Sequence, residues 1–218
     1  MTDNNHLLDE IDPEVAGRIE AGSQDAFSRY GKLALVASAP VLLAMGAKEA
    51  FAAGGVPQQV VDVLNFALTL EYIESAFYKM GNRSRGLIPS KYHSLFRTIG
   101  EHENEHVALL KHALGSAAVA PPQADFTAGG KYGDVFSNFQ TFATLSATFE
   151  DLGVAAYKGQ AGNLLGTPVL TTALRIHSVE ARHAAAVRPL IGKAGYDGAF
   201  DKPKTKAEVL EAAKPFLA

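Results

Sequence analysis

The chain has 218 residues, 47% of them hydrophobic and 20% charged, with a formal net charge of −3 at pH 7. That length holds one full domain plus an appendage, and the composition is that of a chain that buries a core. The absence of cysteine removes disulfide scaffolds, thiol nucleophiles, iron–sulfur clusters and thiolate zinc sites, while the lack of a basic run, with only 9% aromatic residues, excludes a nucleic-acid partner.

Residues 1–54 read as an acidic arm and an apolar segment. Seven acids (Asp3, Asp9, Glu10, Asp12, Glu14, Glu20 and Asp25) oppose Arg18, Arg29 and Lys32, which suits a helical surface arm. Residues 33–45 are almost wholly apolar, and Ala50-Phe51-Ala52 has the small-x-small form that export peptidases cut. Residues 23–33 have the frame of a twin-arginine export signal, but Gln24 and Asp25 stand at the arginine positions. We therefore expect the segment to stay in the mature chain. A cytoplasmic location follows, or a periplasmic or extracellular one if the degenerate signal works. The run of ~13 apolar residues falls short of the ~20 that span a bilayer, so no transmembrane segment is expected.

Residues 55–195 show four helical patterns and no strand-like alternation. The first spans 57–80, opened by Pro57 and stopped at Gly81-Asn82; the second opens at Pro89-Ser90 and ends before Gly115. The third covers 134–160, and the fourth runs from Pro168 to near Gly192, with Pro189 breaking its last turn. Links of about eight and about seven residues make helices one and two, and three and four, antiparallel neighbours. The link 116–133 is long enough to run the length of a bundle. The expectation is an all-α four-helix bundle of two antiparallel hairpins joined by one long crossover. Residues 196–218 follow as a tail with a short C-terminal helix.

Each hairpin carries one Glu on its first helix and a Glu-x-x-His on its second: Glu71 with Glu103 and His106, then Glu150 with Glu180 and His183. Residues three apart share a helix face, so each Glu-x-x-His sets a carboxylate beside an imidazole. The neighbours on these faces are apolar: Leu64, Ala67 and Leu68 around Glu71, and Phe96, Ile99 and Leu110 around Glu103. Ala143, Ala147 and Val154 surround Glu150, and Ala173, Ile176 and Val187 surround Glu180. Unpaired carboxylates in such stripes are very costly, so a cation is expected among them. Glu71 and Glu103 both lie ~14 to 20 Å from their turn, and Glu150 and Glu180 lie at matching heights. The halves form a pseudo-twofold pair converging on one site. Hard oxygen and imidazole ligands suit iron and manganese, so the cofactor is two iron ions or two manganese ions. Buried Glu–His hydrogen-bond pairs without metal are the alternative.

Nearby residues are assigned as follows. His177 stands one turn before Glu180, as a hydrogen-bond partner of the site or as core packing; Glu74 sits at the stripe edge as a further ligand or none. Tyr72, Tyr78 and Tyr157 are electron carriers or simple core, His102 and Glu105 face solvent, and His6, His93 and His112 are surface residues.

The sequence resembles the ferritin-like superfamily, and in detail the bacterial ferritin-like domain proteins related to desiccation-associated proteins. The resemblance rests on Leu64-Asn65-Phe66-Ala67-Leu68-Thr69-Leu70-Glu71-Tyr72, Glu103-Asn104-Glu105-His106-Val107 and Glu180-Ala181-Arg182-His183, and covers about residues 55–192. It implies a ferritin-like fold and a di-metal site in which Glu103 and Glu180, or Glu71 and Glu150, bridge. The implied activity is oxidation of ferrous iron by dioxygen or peroxide, in a homo-oligomer with a stress or iron-homeostasis role. A dimanganese catalase-like enzyme is the alternative within that class. A structural or stress-protective assembly protein, stapled by its metals, is the alternative outside it. Nothing in the sequence specifies an electron donor.

Overall fold

The computed structural model describes residues 57–196 and 198–218. The acidic arm, the apolar segment 1–54 and His6 lie outside them.

Pro57 stands directly ahead of the first helix, α1 (Gln58–Arg83), where its missing N–H leaves no bond unmade. The helix continues through Gly81, the expected stop. A Cβ there would lie 2.2 Å from Cε2 of Phe142, so this glycine admits a ring from another helix instead of ending its own. A 3-10 turn (Ser90–Tyr92) leads into α2 (His93–Leu114), which ends at Gly115 with φ +55°. The third helix, α3 (Phe139–Gln160), starts later than residue 134. Asp134 accepts a bond from Asn138 Nδ2 at 2.7 Å, and the Asn138 side chain accepts from the Gln140 N–H at 3.0 Å, which places the cap at Asn138. The fourth, α4 (Val169–Val187), passes into a 3-10 turn (Arg188–Ile191) at Pro189. The tail forms α5 (Lys206–Ala213), opened by a capping box between Thr205 and Glu208.

Packing fixes the topology. The start of α1 (Val60, Leu64) shares a core with the end of α2 (Leu110, Leu114), and Tyr78 near the end of α1 meets Phe96 near the start of α2. Tyr157 of α3 lies with Ala173 and Ile176 of α4, while Phe149 lies with Val187. Two antiparallel hairpins result, joined by the crossover 115–138. One apolar core gathers around Phe77, which stacks on Phe142 at 4.8 Å and meets Phe149 edge-on at 5.0 Å. The second gathers around Leu64, Leu68 and Ile176. Between them lies a polar layer.

The tail closes one side of the bundle. The Lys204 N–H donates to the Ala155 carbonyl at 3.0 Å, and Val209 and Ala213 pack on Phe66, Leu70, Leu152 and Ala156. The Asp125 N–H donates to the Phe216 carbonyl at 2.9 Å, and the Ala218 N–H to that of Gln123 at 3.0 Å, so tail and crossover hold each other. Among the described residues the only bridge of β type is the isolated Ala124–Leu217 pair, and no helix is long and apolar enough to cross a membrane.

Candidate metal centre

The polar layer is made by one turn from each long helix. Glu71 comes from α1, Glu103 and His106 from α2, Glu150 from α3, and Glu180 and His183 from α4. All four glutamates have 0% exposure, and the two histidines are buried. His106 aims Nδ1 at Glu180 Oε1 (3.0 Å), Glu71 Oε2 (3.2 Å) and Glu103 Oε2 (3.3 Å). His183 aims Nδ1 at Glu103 Oε1 (3.0 Å) and Glu150 Oε2 (3.2 Å). Two overlapping quartets follow, Glu71–Glu103–His106–Glu180 and Glu103–Glu150–Glu180–His183, each with ligand atoms within 4.8 Å of one another. Glu103 and Glu180 belong to both. The structure thus brings together all six residues singled out by their spacing.

The outer oxygens are fixed crosswise. Tyr157 of the second hairpin donates to Glu71 Oε1 of the first, and Tyr78 of the first donates to Glu150 Oε1 of the second. Sequence placed both tyrosines near the site, but pairing across hairpins follows only from the folded bundle. His102 differs from expectation. Its Nδ1 lies 2.9 Å from Nε2 of His183, and it is half-buried against that ring instead of facing solvent. The missed signal was the His102/His106 spacing of four, which puts both on one face of α2.

His177 does not reach the layer; its nearest ionic partner is Asp201 of the tail, 3.8 Å away, and burial holds its pKa below the usual imidazole range. Tyr72 turns to the crossover, its hydroxyl donating to the Val119 carbonyl at 3.4 Å. Glu105 and His112 are exposed, as is His93, whose Nε2 meets the Ile88 carbonyl at 2.7 Å. Glu74 is buried among the acids of the site.

Burial and mutual repulsion govern the charges. Glu180 is pushed up to about 8 by burial and then by Glu71, and Glu103 up to about 7 by burial and then by Glu180. Burial also raises Glu150 and acts upward on Glu71, where the charge and hydrogen bond of His106 outweigh it and leave a lowered value. Burial acts against protonation of the histidines, but the facing carboxylates win: His183 rises to about 10, and His106 lies far above the ordinary imidazole range. The two imidazolium rings therefore serve as counter-ions that divalent metal can replace.

The donor set fits such metals. Glu103 Oε1 and both oxygens of Glu180 are buried and make no hydrogen bond, the two Oε1 atoms having only an imidazole nitrogen in ion-pair contact at 3.0 Å, although a lost hydrogen bond of this kind costs ~1–3 kcal/mol or more for a charged group. Four ionised glutamates carry four negative charges, which two divalent cations neutralise with both histidines neutral. Oxygen and imidazole donors without sulfur suit divalent metal ions.

No curated protein matches the chain. A family model described as a ferritin-like domain matches residues 59–193, more than half of the sequence and the whole span from α1 past α4. With an all-helical bundle and a buried glutamate–histidine layer at its middle, the chain belongs to the ferritin-like domain family.

Proposed function

We propose that the centre binds two iron ions and that the protein oxidises ferrous iron with dioxygen or peroxide. The carrying observation is the pair of overlapping quartets sharing Glu103 and Glu180. In this reading Glu103 and Glu180, the residues common to both quartets, would serve both ions, Glu71 and His106 would hold one of them, and Glu150 and His183 would hold the other. Two ferrous ions held there would supply one electron each, enough with two protons from solvent to reduce dioxygen to hydrogen peroxide, or hydrogen peroxide to two waters, leaving two ferric ions. The chain supplies geometry and exclusion of water. Tyr157 and Tyr78 fix the outer oxygens of Glu71 and Glu150, and the fully buried carboxylates lie between two apolar cores. His106 and His183 give up their protons on loading, so uptake releases protons.

The test is anaerobic reconstitution with ferrous iron or with manganous ion, metal analysis, then oxygen or peroxide consumption. The expected result is two irons per chain and turnover with iron. Glu103→Ala and Glu180→Ala should fall well below two ions and lose turnover, because each bridge serves both positions. A chain that takes up neither metal, or a Glu180→Ala variant that still holds two ions, overturns the proposal. Turnover of peroxide with manganese alone assigns the catalase-like chemistry instead. The same reading places the protein in iron homeostasis or stress defence as a homo-oligomer, which sedimentation of the loaded protein checks.

A further inference from the structure

The halves of the centre are not equivalent. Three residues after Glu71 stands Glu74, whereas three residues after Glu150 stands Gly153. These positions face each other across α1 and α3. A Cβ on Gly153 would lie 3.3 Å from Glu74 Oε1 and 3.2 Å from Glu180 Oε2, so the glycine leaves a space into which both oxygens point. Glu180 Oε2 is fully buried and has no hydrogen-bond partner. Glu74 is only 4% exposed, and the charges that bear on it most are the carboxylates of Glu180, Glu103, Glu71 and Glu150. A fifth carboxylate packed against four others raises the energy of the metal-free layer unless a cation draws on it.

We propose that Glu74 is a seventh ligand of the metal pair and its fifth carboxylate, reaching a divalent cation through the space over Gly153 beside Glu180 Oε2. The inference rests on the six-residue metal centre proposed above and adds a ligand that makes the two positions unlike. A narrow pocket with room for about one water supports it. Its walls include Leu70, Ile73, Phe149 and Phe216, and its polar end is Glu74 beside Gly153. Glu74 is therefore the carboxylate of the layer that meets this pocket. Gln keeps the shape of this side chain while removing the charge that a cation would draw on.

The experiment is anaerobic titration of the full chain with Co²⁺, read by metal stoichiometry and by the ligand-field bands, whose intensity rises as coordination number falls. Wild type is expected to take two ions. Glu74→Gln and Gly153→Ala, the second leaving every ligand in the chain but setting a methyl 3.2 Å from Glu180 Oε2 and 3.3 Å from Glu74 Oε1, should each weaken one of the two ions by about tenfold or more and intensify its bands. The metal-free melting temperature of Glu74→Gln should be no lower than that of wild type, which separates ligation from a packing role. Wild type with two ions and both variants unchanged in affinity and spectrum overturns this proposal and leaves the six-residue centre standing. Wild type that takes up no Co²⁺ overturns both.

Discussion

A histidine that ligates through Nδ1 leaves Nε2 to be oriented by a neighbour, and that neighbour commonly sets tenfold or more in metal affinity. If the proposed centre forms, His102 takes this place for His183, its Nδ1 standing 2.9 Å from Nε2 of that ring, while the matching position of the other half is Val179. Replacing His102 by Ala is expected to weaken the Glu150–His183 position by about tenfold, with Gln restoring part of the loss through its side-chain oxygen. Competition with a chromophoric chelator reads this, and Glu105→Ala, on the exposed face, should match wild type. The crossed tyrosines give a second expectation. Tyr78→Phe or Tyr157→Phe leaves a buried glutamate oxygen without its donor, at a cost of ~1–3 kcal/mol in chemical denaturation of the metal-free chain. The six residues of the layer were legible in the sequence because Glu-x-x-His repeats at matching heights on apolar stripes. For His102 the only local signal is its spacing of four from His106, which names no partner, and the tyrosine pairing has none, since each contact joins side chains from different hairpins.

At the scale of elements, the four long helices follow from apolar periodicity and from Pro57, Pro89 and Pro168, whereas two boundaries moved for reasons outside the local pattern. Gly81 has the chemistry of a stop but serves the Phe142 ring, and Asn138 captures the start of α3 through a cap that periodicity does not show. The tail makes its own prediction. A Cβ on Gly159 would stand 1.8 Å from the Lys204 carbonyl oxygen, so Gly159→Ala must push the tail off α3 and break the Lys204–Ala155 bond. The expected outcome is a lower melting temperature with proteolytic cleavage near residue 204 while the four long helices persist. By contrast, Phe77→Ala opens a cavity at the centre of the aromatic core and should cost ~3–5 kcal/mol throughout the bundle.

For the whole molecule, metal and pH act on one equilibrium. In the metal-free chain Glu103 and Glu180 hold protons up to about 7 and about 8, above the ordinary value of 4.5, so the folded state binds more protons than the unfolded one. Their contribution is full below the unfolded value and is lost as pH rises through 7 to 8. His183, raised to about 10, acts in the same direction from its ordinary 6.5 upward, while lowered Glu71 acts oppositely, its contribution fading only as pH falls through the acid range. The metal-free melting temperature should therefore fall from about pH 5 to about pH 9, and the gap between loaded and metal-free protein should widen over that interval, as calorimetry at three pH values will read. A final consequence lies in the crossed contacts. Glu71 is served by Tyr157 and Glu150 by Tyr78, each tyrosine seven residues beyond its own hairpin's glutamate, so the bundle contains within one chain the reciprocity of a twofold dimer. Heredity should register this: a lesion at Glu71 finds its suppressors 86 residues downstream in the opposite hairpin, and the two halves must drift together if either is to change.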